Sequence, residues 1–278
     1  MTSRLLGLSM VVMGTLLSGC ASVSTMGLAR TLNQGAVQGW VAPEGGGVVA
    51  VTGTIAGATG VGYPLLEGGI RVGVTDRFEL GARLGLSGVG LEGKIGFLRS
   101  PTMDTGINLS LNPGVTYVGF GLGSAFVGTL TFHLPLLIGI DFGGHELVLG
   151  PRFIDQLVFA GTSGTGSSAS SAGINIIYAG GSVGFAIKAG PNLRILPEVS
   201  IGVPVVATGT VGTSSATAVG AGGLIFQAGV AFLFGTSNAY DPPEALPTPP
   251  PPPAPANAPL PPEPAPAPIM PPPPAPTP

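Results

Sequence analysis

The sequence predicts an all-β fold, an antiparallel up-and-down transmembrane barrel of about ten strands, within the even-numbered series of single-chain bacterial barrels. Three observations carry this reading. Residues 65–97 split into two faces when every second residue is taken. Phe78, Leu80, Ala82, Leu84 and Leu86 lie on one face, and Glu79, Gly81, Arg83 and Gly85 on the other. Upstream, Ile70, Val72 and Val74 alternate with Arg71 and glycines, and downstream Leu91, Ile95 and Phe97 alternate with Glu92, Lys94 and Gly96. Period-two alternation places successive side chains on opposite sides of a sheet. Only 8% of the 278 residues are charged, against an average of about 25% for soluble proteins. Mean hydropathy is +0.53, yet no apolar run reaches the roughly 20 residues that a membrane helix needs. Connections alternate between short turns and longer glycine- and serine-rich links, as in barrels with short periplasmic turns and long extracellular loops.

Along the chain, residues 34–42 read as a first strand with poor alternation, and residues 43–63 as a long loop or an extension of the strands beside it. Three strands follow within residues 65–97, turned at Thr75-Asp76-Arg77 and Ser87-Gly88. Further strands are expected over residues 104–118, 126–140, 145–159, 174–188, 193–207 and 222–234, with a β-bulge near Gly180-Gly181 where the phase flips. Aromatic girdles are expected from Phe78, Phe97, Phe142 and Phe234 at one end and Tyr117, Phe126, Phe159 and Phe226 at the other.

The charged residues of these strands fall on the face opposite the apolar one: Glu67, Arg71, Glu79, Arg83, Glu92, Lys94, Glu146, Arg152, Lys188, Arg194 and Glu198. Mixed signs at cross-strand spacing form ion pairs filling a lumen, and the same residues line a narrow polar conduit if the lumen is open. Many other inward positions are Gly, Ser or Thr, which leaves space for water.

The termini differ from the barrel. Residues 1–19 read as an export signal, with Arg4 before a short apolar core. Leu17-Ser18-Gly19-Cys20 resembles the lipobox of bacterial lipoproteins, and the resemblance implies a diacylglycerol on Cys20. Ala21 in place of Asp implies sorting to the outer membrane. Residues 20–33 are expected as a linker, residues 34–235 as the barrel, and residues 236–278 as a disordered Pro/Ala-rich periplasmic tail in extended polyproline II conformation. The last strand, with Gln227, Gly229, Phe232 and Phe234, resembles the signal read by the barrel assembly machinery. The stretch from Arg71 through Thr75-Asp76-Arg77 to Arg83 resembles uncharacterised outer-membrane β-barrel proteins of Gram-negative bacteria. That implies the fold and an outer-membrane location, with the N-terminus and tail in the periplasm.

Function is expected to be non-enzymatic: a structural envelope protein or a narrow passive channel. His133 and His145 have no sequence-evident nucleophile or acid around them, and no phosphate loop, dinucleotide fingerprint or metal-ligand spacing is present, so neither cofactor nor metal is expected. A net charge of −3 gives no basic patch for nucleic acid. The expected partners are the outer-membrane bilayer, the assembly machinery and, through the tail, peptidoglycan or a periplasmic protein. Two alternatives belong to other classes. One is a lipid-tethered soluble barrel binding a hydrophobic ligand, which predicts a more charged exterior. The other is an outer-membrane lipid-modifying enzyme.

Overall fold

A computed structural model describes residues 22–50, 59–122, 125–162, 170–211, 214–219 and 223–235. The expected signal peptide, Cys20 and the Pro-rich tail lie outside the described residues. Among the described residues, thirteen strands form one sheet. In chain order they are β1 (Val37–Ala50), β2 (Thr59–Thr75), β3 (Phe78–Gly85), β4 (Gly88–Leu98), β5 (Thr105–Leu111), β6 (Gly114–Leu122), β7 (Ala125–Phe142), β8 (His145–Leu149), β9 (Arg152–Thr162), β10 (Ser170–Lys188), β11 (Leu193–Val211), β12 (Ser214–Val219) and β13 (Gly223–Gly235).

Every pairing is antiparallel, and β13 closes the sheet on β1, with Gln38 opposite Gly235 and Gly47 opposite Phe226. β5 and β6 follow one another along a single stave between β4 and β7. β8 and β9 do the same between β7 and β10. β12 pairs only with β11, as a hairpin beyond the ring. The result is the expected closed barrel of ten staves.

Three local features differ from the sequence reading, each with a physical reason. The strands expected over 104–118 and 145–159 are each divided in two, at Asn112-Pro113 and Gly150-Pro151. Proline has no N–H for the ladder. Its carbonyl still accepts, from Gly93 N–H to Pro113 O at 2.9 Å and from Leu136 N–H to Pro151 O at 2.9 Å, so the wall continues across both breaks. Of the two readings of residues 43–63, the described parts, 43–50 and 59–63, take the second and extend the strands beside them, with Gly45, Gly46 and Gly47 paired to Pro64, Tyr63 and Gly62. The register shift in β10 falls at Ile177/Tyr178, where Ile177 faces Val206 and Tyr178 faces Pro204. The extra residue, Val205, sits beside a proline that cannot donate, so the partner strand rather than the glycine pair places the bulge. Finally, residues 22–33, read as a linker, run inside the barrel and are buried throughout.

The two surfaces are inverted relative to a soluble barrel. Leu66, Ile70, Leu84, Leu91, Val199 and Ile201 are exposed, Leu84 at 66%. Inside are Glu67, Arg71, Lys94, Glu146 and Gln227, each at 2% exposure or less. An interior of this chemistry is no cavity for a hydrophobic ligand, so the soluble-barrel alternative does not match the fold. Phe97, Tyr117, Phe126, Phe142, Phe226 and Phe234 are exposed toward the strand ends where girdles were expected. The Phe126 and Phe159 rings meet at 5.7 Å, and Phe142 stacks on Phe185 at 5.4 Å.

Candidate functional site

The site is the lumen, built in layers by inward residues of the staves and by the segment that threads it. Near the level of Phe226, Arg83 pairs with Glu67, and Ser87 donates to the same carboxylate. Gln227 Oε1 accepts the Val23 backbone N–H at 2.6 Å, while Gln227 Nε2 donates to Glu44 and, at 3.2 Å, to Ser22 Oγ. In the middle layer Arg71 Nε bonds Glu92 at 2.5 Å, and its two terminal nitrogens donate to the carbonyls of Met26 and Thr25 at 2.9 and 3.0 Å. Glu198 accepts the Thr25 and Met26 N–H groups at 2.8 and 2.9 Å and lies 3.4 Å from Arg152. Trp40 packs face-on to both guanidinium groups, Arg71 at 5.1 Å and Arg83 at 5.5 Å, a geometry worth about 2 kcal/mol or more when desolvated.

Below this, Glu146 accepts the N–H groups of Ala29 and Arg30 at 2.8 and 3.3 Å. Arg30 donates to the carbonyls of Ser100 and Thr102 and lies 3.8 Å from Asp141, which Asn108 also contacts at 2.7 Å. Glu79 pairs with Lys94 and accepts the Leu32 N–H at 2.9 Å. At the lower rim Thr31 donates to Asp76 O at 2.6 Å, inside the turn that the sequence places between two strands. The segment therefore runs the height of the belt, from beside Phe226 to the Asp76 turn.

Inward glycines make room for it. A Cβ at Gly139 would lie 2.8 Å from the Ala29 Cβ, and one at Gly229 would lie 2.9 Å from Met26 Cε. The small inward residues do leave space, but chain occupies it rather than water alone.

Of the charged residues assigned to the lumen, Glu67, Arg71, Glu79, Arg83, Glu92, Lys94, Glu146, Arg152, Arg194 and Glu198 are buried there. Arg194 caps the lower end, donating to Gly144 O at 2.5 Å and to Met103 Sδ at 3.1 Å. Lys188 is the correction. It is exposed at the rim, next to the Gly143-Gly144 turn, because β10 ends there and its last side chain has no lumen to enter. Among the last-strand residues, Gln227 and Gly229 line the lumen, while Phe232 and Phe234 lie on the outer face. His133 points inward beside Gly114, and His145 Nδ1 accepts the Lys188 N–H at 3.1 Å at the rim.

Sequence reasoning missed Glu44, Arg30, Asp141 and Trp40 as lumen residues. Glu44 lies in a glycine run with no alternation, and Arg30 is on no strand. Asp141 was legible, since it sits in phase with inward neighbours on β7.

No protein-family model and no curated protein matches this sequence. Solved structures with a similar barrel include the outer-membrane protease OmpT of Escherichia coli, at 9% identity and a TM-score of 0.43, covering 74% of this chain and 98% of that one. The translocator domain of the autotransporter NalP of Neisseria meningitidis aligns at 10% identity and 0.38, over 83% and 97%. A major outer membrane protein of Thermus thermophilus aligns at 14% and 0.35, over 70% and 99%. These likenesses concern the barrel architecture alone. One expectation, that this chain is not an enzyme, does not stand: an outer-membrane protease is among the solved structures with a similar barrel.

Proposed function

We propose that this protein is an outer-membrane β-barrel of a Gram-negative envelope, lipid-modified at Cys20 and sealed at rest by its own residues 22–33. The observation that carries the reading is the inversion of surfaces, with Leu84 and Leu91 outside and Arg71, Glu92 and Glu198 inside. An outward Arg or Lys at the bilayer midplane costs about 2–4 kcal/mol, which is the reason for charge to collect in the lumen. Closure of β13 on β1 joins the first and last staves of the ring among the described residues, a requirement for strands in hydrocarbon. Lipidation rests on Leu17-Ser18-Gly19-Cys20. Assembly through Gln227, Gly229, Phe232 and Phe234, and contact of the Pro-rich tail with peptidoglycan or a periplasmic partner, belong to the same proposal.

Gel mobility of the outer-membrane fraction with and without boiling tests it. A heat-dependent shift, together with electrical silence of the wild-type protein in a planar bilayer, is the expected result. Release by mild detergent with no shift would overturn the reading.

A further inference from the structure

The lumen grips residues 22–33 by their main chain, and that mode of contact has a consequence for what else the lumen accepts. Glu198, Glu146 and Glu79 take the N–H groups of residues 25, 26, 29, 30 and 32, and Arg71 donates to the carbonyls of Thr25 and Met26. We propose that the lumen is a binding site for an extended peptide, and that residues 22–33 are its tethered occupant, a plug that leaves without dismantling the wall. The inference rests on the outer-membrane reading above.

Three observations support departure. Among the described residues the plug is in no strand, and it is held by wall side chains; backbone-to-backbone bonds to the wall begin past it, at Gly35 and Ala36, through Gly35 N–H to Gly73 O at 2.7 Å and Gly73 N–H to Ala36 O at 2.9 Å. Gly35 has a φ of 76° and open space where a side chain would stand, so it serves as the hinge between plug and β1. The principal lumen ion pairs, Arg71–Glu92, Arg83–Glu67, Lys94–Glu79 and Arg152–Glu198, join wall to wall. They persist when the plug is gone, and water replaces the amide groups it withdraws. The space vacated is that of a whole peptide, running the length of the barrel past Gly139 and Gly229, and it is lined by charge. Ions pass such a path.

The test uses the full chain. A Cβ at Gly27 would lie 3.2 Å from Arg71 Nη1, so Gly27→Trp prevents seating of the plug while leaving every stave unchanged. Met26→Pro is the second variant, because it removes the N–H that Glu198 accepts and forbids the positive φ found there. Both are expected to retain the heat-dependent mobility shift and to conduct steadily in a planar bilayer where the wild type is closed. A synthetic peptide of residues 22–33 then returns them to the closed baseline. Shifted but silent variants would overturn the plug, as would open variants that the peptide does not close or a wild type that conducts equally. Loss of the shift in the wild type as well would instead remove the outer-membrane reading on which the plug depends. Loss in the variants alone would show that the wall needs the plug, which also overturns the proposal.

Discussion

Glu198 and Met26 are 172 residues apart, and the Glu198 carboxylate accepts the Met26 backbone N–H at 2.9 Å. Met26 has a φ of 45°, in the left-handed region that costs a non-glycine residue roughly 1–3 kcal/mol. Its carbonyl is held from the other side by Arg71 at 2.9 Å. Two buried side chains of opposite sign thus hold one residue, by its N–H and by its carbonyl, in a conformation it would not adopt alone.

Glu198→Ala removes the acceptor for Thr25 and Met26 and leaves Arg152 without its carboxylate. Hydrogen bonds to a charged group contribute about 1.5–3 kcal/mol each. Amide exchange at Thr25 and Met26, measured in detergent micelles or nanodiscs, is expected to speed up by about tenfold or more, since 1.4 kcal/mol is a factor of ten. Unchanged exchange at both amides would show that Glu198 does not hold the segment.

The Arg83–Glu67 pair is buried on both sides. Removing one partner of such a pair costs about 3–5 kcal/mol because the other charge is stranded. Glu67→Gln is therefore expected to lower the denaturant midpoint of the folded barrel. Glu67→Gln combined with Arg83→Met is expected to recover part of the loss, an interaction that a double-mutant cycle reads directly.

Leu84→Arg places a charge on the outer face at a position now 66% exposed. In a bilayer this costs up to about 2–4 kcal/mol, declining toward the interfaces. Folding titrations in lipid vesicles are expected to show the loss, and a soluble exterior would show none.

Lipidation of Cys20 is expected to appear in the mass of the mature N-terminal fragment and to vanish in Cys20→Ser.

What the sequence determined by itself is what a strand records locally. Alternation such as Phe78 to Leu86 sets which side chain faces which way, and closure follows because the apolar face must meet hydrocarbon while every backbone group is paired. The ion-pair partners were legible too, since Glu79 and Lys94 lie directly opposite on neighbouring strands. What only the tertiary structure decided is the content of the lumen. Residues 22–33 have no period, and their contacts reach as far as 205 residues along the chain, from Ser22 to Gln227. Inward glycines such as Gly139 and Gly229 register in a sequence merely as missing side chains. Only when ten staves close around them does that absence become the volume of a peptide. No local pattern encodes a fit between one segment and the summed vacancies of many strands.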